Sequence, residues 1–150
     1  MLDHSIRSIS TIFCDDIRPE LGNKFSLMGV YNGGLFVPDF PAFLPKLCML
    51  VTVITSFAKP IRSLKIRILK NEDLLLEHLV EEQALIVERP SLPPNVNVSV
   101  TPNNEISMFS MPLVISPFML DAPMIIRVRA EADEDLLRSP GLIVRKTETA

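Results

Sequence analysis

Asp15 and Asp16 stand side by side at the end of an apolar run, Ile12-Phe13-Cys14-Asp15-Asp16-Ile17-Arg18-Pro19-Glu20, with Lys24 shortly after. Paired carboxylates are the residues here best suited to acid–base chemistry, but that chemistry needs both groups flanking one bond. Neighbours in a strand point to opposite faces, so Asp15 and Asp16 flank a common bond poorly. Either the strand ends by Asp15, or one carboxylate is partly buried and paired. A buried carboxylate needs a cation and hydrogen bonds, or it stays protonated. Arg18 and Lys24 are the nearest cations by sequence. Asp15, Asp16, Arg18 and Lys24 are therefore expected to form a polar clasp between the first two strands, or a contact patch at that end. Tyr31 and Asn32, at the far end of the second strand, are expected to form a different patch from Arg18.

Other chemistries find less support. His4, Cys14, Cys48 and His78 are the possible zinc ligands, and they contain no close pair of the kind structural zinc sites use. Asp15, Asp16, Asp121, Asp133, Glu134 and Asp135 could offer oxygens to calcium, but no Asp-x-Asp-x-Asp loop with a glycine is present. No Gly-x-Ser-x-Gly elbow, His-Glu-x-x-His motif or phosphate-cradling glycine loop occurs. The expectation is a non-enzyme with no cofactor and no metal. Cys14 and Cys48 both lie in apolar runs and read as two reduced core thiols. Phe36, Phe40 and Phe43 flank a crossing with three prolines, Pro38 to Pro45, and are candidates for a partner surface.

The elements that must position these residues are strands. Proline outnumbers glycine by 13 to 5, which divides the chain into short extended runs joined by stiff connections. The prolines are read as lying between the apolar runs. Ser8 to Cys14 and Lys24 to Tyr31 are expected as the first two strands, linked by 18–23. Leu47 to Ser56 reads as a buried strand. Leu64-Lys65-Ile66-Arg67-Ile68 and Ile126-Arg127-Val128-Arg129-Ala130 alternate with period two, which puts one face on a core and the other in water. Asn71-Glu72-Asp73 is a turn, making 64–80 a hairpin. Strands are also expected at 83–88, 95–100, 106–109 and 142–145, and at most a helical turn at 131–137. About eight or nine short strands with little helix define an all-β, two-layer antiparallel β-sandwich, immunoglobulin-like or C2-like.

A length of 150 residues suits one domain, with 1–6 and 146–150 expected to be mobile. Net charge is −3 and both signs are interleaved, so no concentrated basic face for nucleic acid is expected. The N-terminus lacks a basic segment followed by an apolar one, and the run 47–54 is too short to span a bilayer as a helix. The expectation is a soluble cytoplasmic protein that engages neither membrane nor nucleic acid.

Phe13-Cys14-Asp15-Asp16-Ile17-Arg18, Glu20, Lys24, Ser26-Leu27, Gly29-Val30-Tyr31, Phe40-Pro41 and Leu44-Pro45-Lys46-Leu47 together resemble a family of small bacterial and phage-associated domains of unknown function. The likeness covers roughly residues 10 to 55. It implies a compact single domain and brings no activity, substrate or catalytic residue. The resulting expectation is a protein-interaction module whose partner is another protein or its own copies. The alternative is a domain that binds calcium or a small ligand at its carboxylates, and a hydrolase with an unrecognised acid pair comes third.

Overall fold

The structure is a computed structural model, and it describes residues 6–86 and 106–148. The twelve strands among them are β1 (Arg7–Glu20), β2 (Lys24–Val30), β3 (Leu35–Val37), β4 (Ala42–Leu44), β5 (Leu47–Ser56), β6 (Leu64–Lys70), β7 (Asp73–Val80), β8 (Ile106–Ile115), β9 (Phe118–Leu120), β10 (Met124–Ala132), β11 (Asp135–Arg138) and β12 (Leu142–Lys146). They exceed the eight or nine expected because several are only three or four residues long. A four-stranded sheet has the order β2-β1-β5-β8, and a second sheet has the order β3-β12-β10-β6-β7 with β11 also paired to β10. A small third sheet pairs β4 with β9. The chain is all-β with two main sheets, and no described helix is long and apolar enough to cross a membrane.

Alternation decides which side chains meet. Ile9, Phe13, Met49, Val51, Val53 and Leu113 from the first sheet share one apolar cluster with Leu64, Ile66, Ile68, Ile126, Val128, Leu142 and Val144 from the second. The 64–80 hairpin forms as expected, with Asn71 at φ 55° in its turn. The strand expected at 142–145 is β12. It lies between β10 and β3, and its pairing with β3 is parallel.

Several expectations are corrected. β1 does not end at Asp15 but runs on to Glu20. It changes partner along the way: Arg7 to Cys14 face β5, while Cys14 to Glu20 face β2. Beyond Cys14 it has a neighbour on one side only among the described residues, a setting that tolerates carboxylates and Pro19. Prolines also occur inside strands: Pro112 lies within β8, which among the described residues is an edge strand, the position where a proline in a sheet is tolerated. Of the strand expected at 83–88, residues 83–86 do not form one, because Glu82–Leu85 is a short 3-10 helix, and 87–88 lie outside the described residues. The helical turn expected at 131–137 is the β10–β11 hairpin, turned at Asp133 with φ 53°. Lys146 is held in β12, the Thr147 N–H donates to Val37 O at 2.8 Å, and the Ser56 N–H donates to Ile6 O at 3.1 Å. The strand expected at 95–100 lies outside the described residues, as does His4.

One buried cation joins the two sheets. The Arg7 side chain, on β1, is only 4 % exposed. Its guanidinium donates to Thr55 Oγ1 at 3.2 Å, Ala132 O at 3.1 Å, Asp135 Oδ2 at 2.8 Å, Lys59 O at 2.9 Å and Asp133 Oδ2 at 3.3 Å. Asp133 in turn accepts from the Arg62 and Ser63 N–H groups at 3.1 and 3.0 Å. Removing one partner of such a buried network leaves the others poorly paired. Arg7→Met is expected to lower unfolding free energy in urea by about 3 kcal/mol. Arg67→Met, at a half-exposed ion pair with Glu77, is expected to cost under about 1 kcal/mol.

Candidate interaction face

The acidic block is divided between two faces of β1. Asp15 points to the same side as Phe13, opposite Gly29 on β2, and accepts a short hydrogen bond from the Tyr31 hydroxyl. Gly29 has φ 67°, and a Cβ there would lie 2.2 Å from Asp15 Oδ2. The glycine is required twice, by its backbone and by the carboxylate in front of it. Tyr31 is far from Arg18, as the sequence suggests, but the hairpin register carries it back onto Asp15.

Asp16 points to the other side. It pairs with Lys46, just ahead of β5, and lies 3.6 Å from Arg18 Nε. The hydrogen bond from Lys46 holds the Asp16 carboxyl below the ordinary carboxylate range and raises Lys46 above its own. Lys24 pairs in register with Glu20 at the hairpin tip and makes no ion pair to Asp15 or Asp16 among the described residues. Of the sequence candidates, the structure thus brings Asp16 to Arg18 and sets Asp15 and Lys24 apart.

Past Asp16, the same side of the four-stranded sheet faces away from the apolar cluster, yet it is largely apolar. On β1 it carries Ser8, Ser10, Ile12 and Cys14; on β5, Cys48, Leu50, Thr52 and Ile54. On β8 it carries Ile106, Met108, Ser110, Pro112 and Val114, and on β2, Met28 and Val30. Ile12, Met28, Val30, Ile106, Met108 and Val114 are exposed, Met108 at 62 %. Thr52 and Ser110 satisfy each other's hydroxyls at 3.0 Å. Among the described residues, ionised groups on this side occur only at its Asp16, Lys46 and Arg18 end. Sequence reading missed the face because β5 looks apolar on both sides and β8 looks interrupted at Pro112. The available signal was the even-numbered set Ile106, Met108, Pro112 and Val114, with the uncharged Ser110 between them.

Cys14 and Cys48 are cross-strand partners on this face, both fully buried and both free thiols. Burial, first of all, raises both thiols above the usual value. They stay protonated at neutral pH and act as small apolar fillers.

The phenylalanines do not form one surface. Phe40 packs against the core, Phe36 lies on β3 with the Arg145 guanidinium 5.0 Å from its ring centroid, and Phe43 is exposed beside Met119 in the β4–β9 pair. The carboxylates weighed for calcium are mostly engaged by cations. Asp121 is 2.7 Å from Lys70, Asp135 is bound by Lys59 and Arg7, and Asp133 is bound by Arg7. Among the described residues, no three His, Cys, Asp or Glu side chains gather where they would hold a metal ion. Neither a protein-family model nor a curated protein matches this sequence.

Two outcomes follow from the Asp15 geometry. Gly29→Ala is expected to cost more than about 1 kcal/mol in urea unfolding. Gly22→Ala, with φ 87° and nothing within 4 Å of the new Cβ, should cost clearly less. Tyr31 is the chain's single tyrosine and tryptophan is absent, so absorbance at alkaline pH reads its ionisation alone. Burial, then the hydrogen bond to Asp15, holds the phenol well above its ordinary value of 10.0. Phenolate absorbance should therefore rise well above pH 10 in the folded protein, and earlier in Asp15→Asn.

Proposed function

We propose that this chain is a non-enzymatic β-sandwich module, immunoglobulin-like or C2-like, that binds protein through the outer face of its four-stranded sheet, and that the occupant is a second copy of the chain. The sandwich reading is supported by the one apolar cluster to which both main sheets contribute. The interaction reading is carried by a single observation: among the described residues, the outward side of β2-β1-β5-β8 is apolar and uncharged across its centre. Exposed apolar patches of this extent are uncommon on monomers and mark contact sites.

Area and charge favour a second copy. Three strands about 4.8 Å apart, β1, β5 and β8, run side by side over about eight residues, and the β1–β2 ribbon continues for about six more, which together give a face of roughly 570 Å². Two such faces together cover about 1,100 Å², which reaches the size at which specific interfaces begin. Two copies carrying −3 each would repel if their charges met. Among the described residues the centre holds only apolar, thiol and hydroxyl side chains, and the ionised groups sit at one end, where Asp16 is paired with Lys46 and Arg18. An isologous contact therefore brings no unpaired like charges together. Edge-to-edge pairing through β8 is disfavoured by Pro112.

Light scattering and sedimentation should report twice the chain mass at micromolar concentration. Met108→Glu with Val114→Glu, both at exposed positions, should return the monomer mass with unchanged urea unfolding of the monomer. A wild-type chain that stays monomeric at millimolar concentration overturns self-association, as does a dimer that the double variant leaves intact.

A further inference from the structure

We propose that the outer face of the six-stranded sheet holds an anion-binding groove for a small phosphate-bearing ligand, gripped by Arg129 and Arg138 with Arg127 beside them. This reading does not depend on the self-association proposed above, because it uses the other sheet.

Strand register gathers arginines that the sequence scatters. Arg129 on β10 lies directly opposite Arg138 on β11 and, on its other side, opposite Arg67 on β6. Arg127 is two residues along β10 and so shares the face. Two of the four have counter-ions. Arg67 reaches Glu77 at 2.9 Å and Glu131 at 3.3 Å, and Arg127 reaches Glu72 at 3.5 Å. Arg129 and Arg138 have no ion pair or hydrogen bond from their side chains among the described residues. Like charges placed opposite each other across a strand pair destabilise it. A fold that keeps two guanidiniums so placed, while neutralising Arg67 next door, has left a position for an anion.

The backbone supplies the space. β10 pairs with β12 as far as Ile126 and with β11 only from Arg129, so around Arg127 and Val128 it changes neighbour. The connection from β11 to β12 leaves a groove of about 330 Å³ there, lined by Arg127, Arg129, Arg138, Ser139, Gly141 and Ile143. That volume suits a small ligand. Gly141 forms part of the wall because a Cβ would lie 2.9 Å from Ile126 O. The Ser139 hydroxyl is fixed on Thr11 Oγ1 at 2.8 Å, which steadies the connection. Planar guanidinium forks match the oxygens of a phosphate, and two from facing strands can hold one phosphate from both sides. A dianion turns their mutual repulsion into a shared attraction.

Calorimetric titration with inorganic phosphate and pyrophosphate, at fixed ionic strength set with chloride, tests the groove. Pyrophosphate should bind once per chain, and Arg129→Gln and Arg138→Gln should each weaken it about tenfold or more. Absence of binding, or binding that neither variant changes, overturns the proposal. A succinate arm separates phosphate from general carboxylate binding: equal affinity for both overturns the phosphate assignment. An oligonucleotide arm whose affinity grows with chain length overturns the small-ligand assignment. A second readout needs no ligand. In anion-poor, low-salt buffer Arg138→Gln should raise the melting temperature, because it removes the repulsion. A drop would mean that Arg138 supports the fold in another way, and would also overturn the proposal.

Discussion

A charge taken out of water has to be met by acceptors, and Arg7 meets that demand by holding four separate pieces of chain at once. Its guanidinium reaches the end of β5, the loop after β5 and the turn between β10 and β11, while its backbone belongs to β1. The apolar cluster supplies the general attraction between the sheets. It is non-directional, however, and would tolerate many relative placements. The hydrogen bonds of Arg7 are directional, and they fix one placement. The positive φ of Asp133, which closes the β10–β11 turn, is stabilised by the same network through the Arg62 and Ser63 N–H groups.

With that end fixed, the two main sheets present outer surfaces of opposite character. The five-strand path carries Lys65, Arg67, Arg127, Arg129 and Glu131 outward, a solvated face in which most charges find partners. The four-stranded sheet carries methionine, isoleucine, valine, serine and threonine outward. Both sheets alternate with period two, so the difference comes from what fills the outward positions. Water suits the first face well. The second gains more from being covered.

Much of this was legible in the sequence, and the exceptions share a physical cause. The 64–80 hairpin could be read because its pattern is local: period-two alternation with Asn71 at the turn. The strand nature of 126–130 was equally plain. The 131–137 segment misled because its acidic residues resemble the first turn of a helix, whereas Asp133 and Asp135 are acidic to satisfy Arg7, a residue far away in sequence. Asp16 lies beside Arg18, a cation close in sequence, but its nearer partner Lys46 is brought in by β5. Asp15 finds Tyr31 through hairpin register, and Arg129 finds Arg138 the same way. Local pattern gives element type; partners chosen across strands are invisible until register is known.

The placement of β12 has a bearing on how the molecule is made. It is late in sequence but interior in space, flanked by β10 on one side and β3 on the other, with Val144 opposite Leu35. During synthesis β3 leaves the ribosome early and must wait until β12 is made before its one sheet neighbour among the described residues exists. Any fragment that stops before Leu142 would present two unsatisfied strand edges and an open seam in the core. Such long-range closure slows folding and prolongs the exposure of sticky edges. A nascent chain of this kind gains from an early-forming local hairpin such as β6–β7, which can shelter part of the apolar surface until the seam closes.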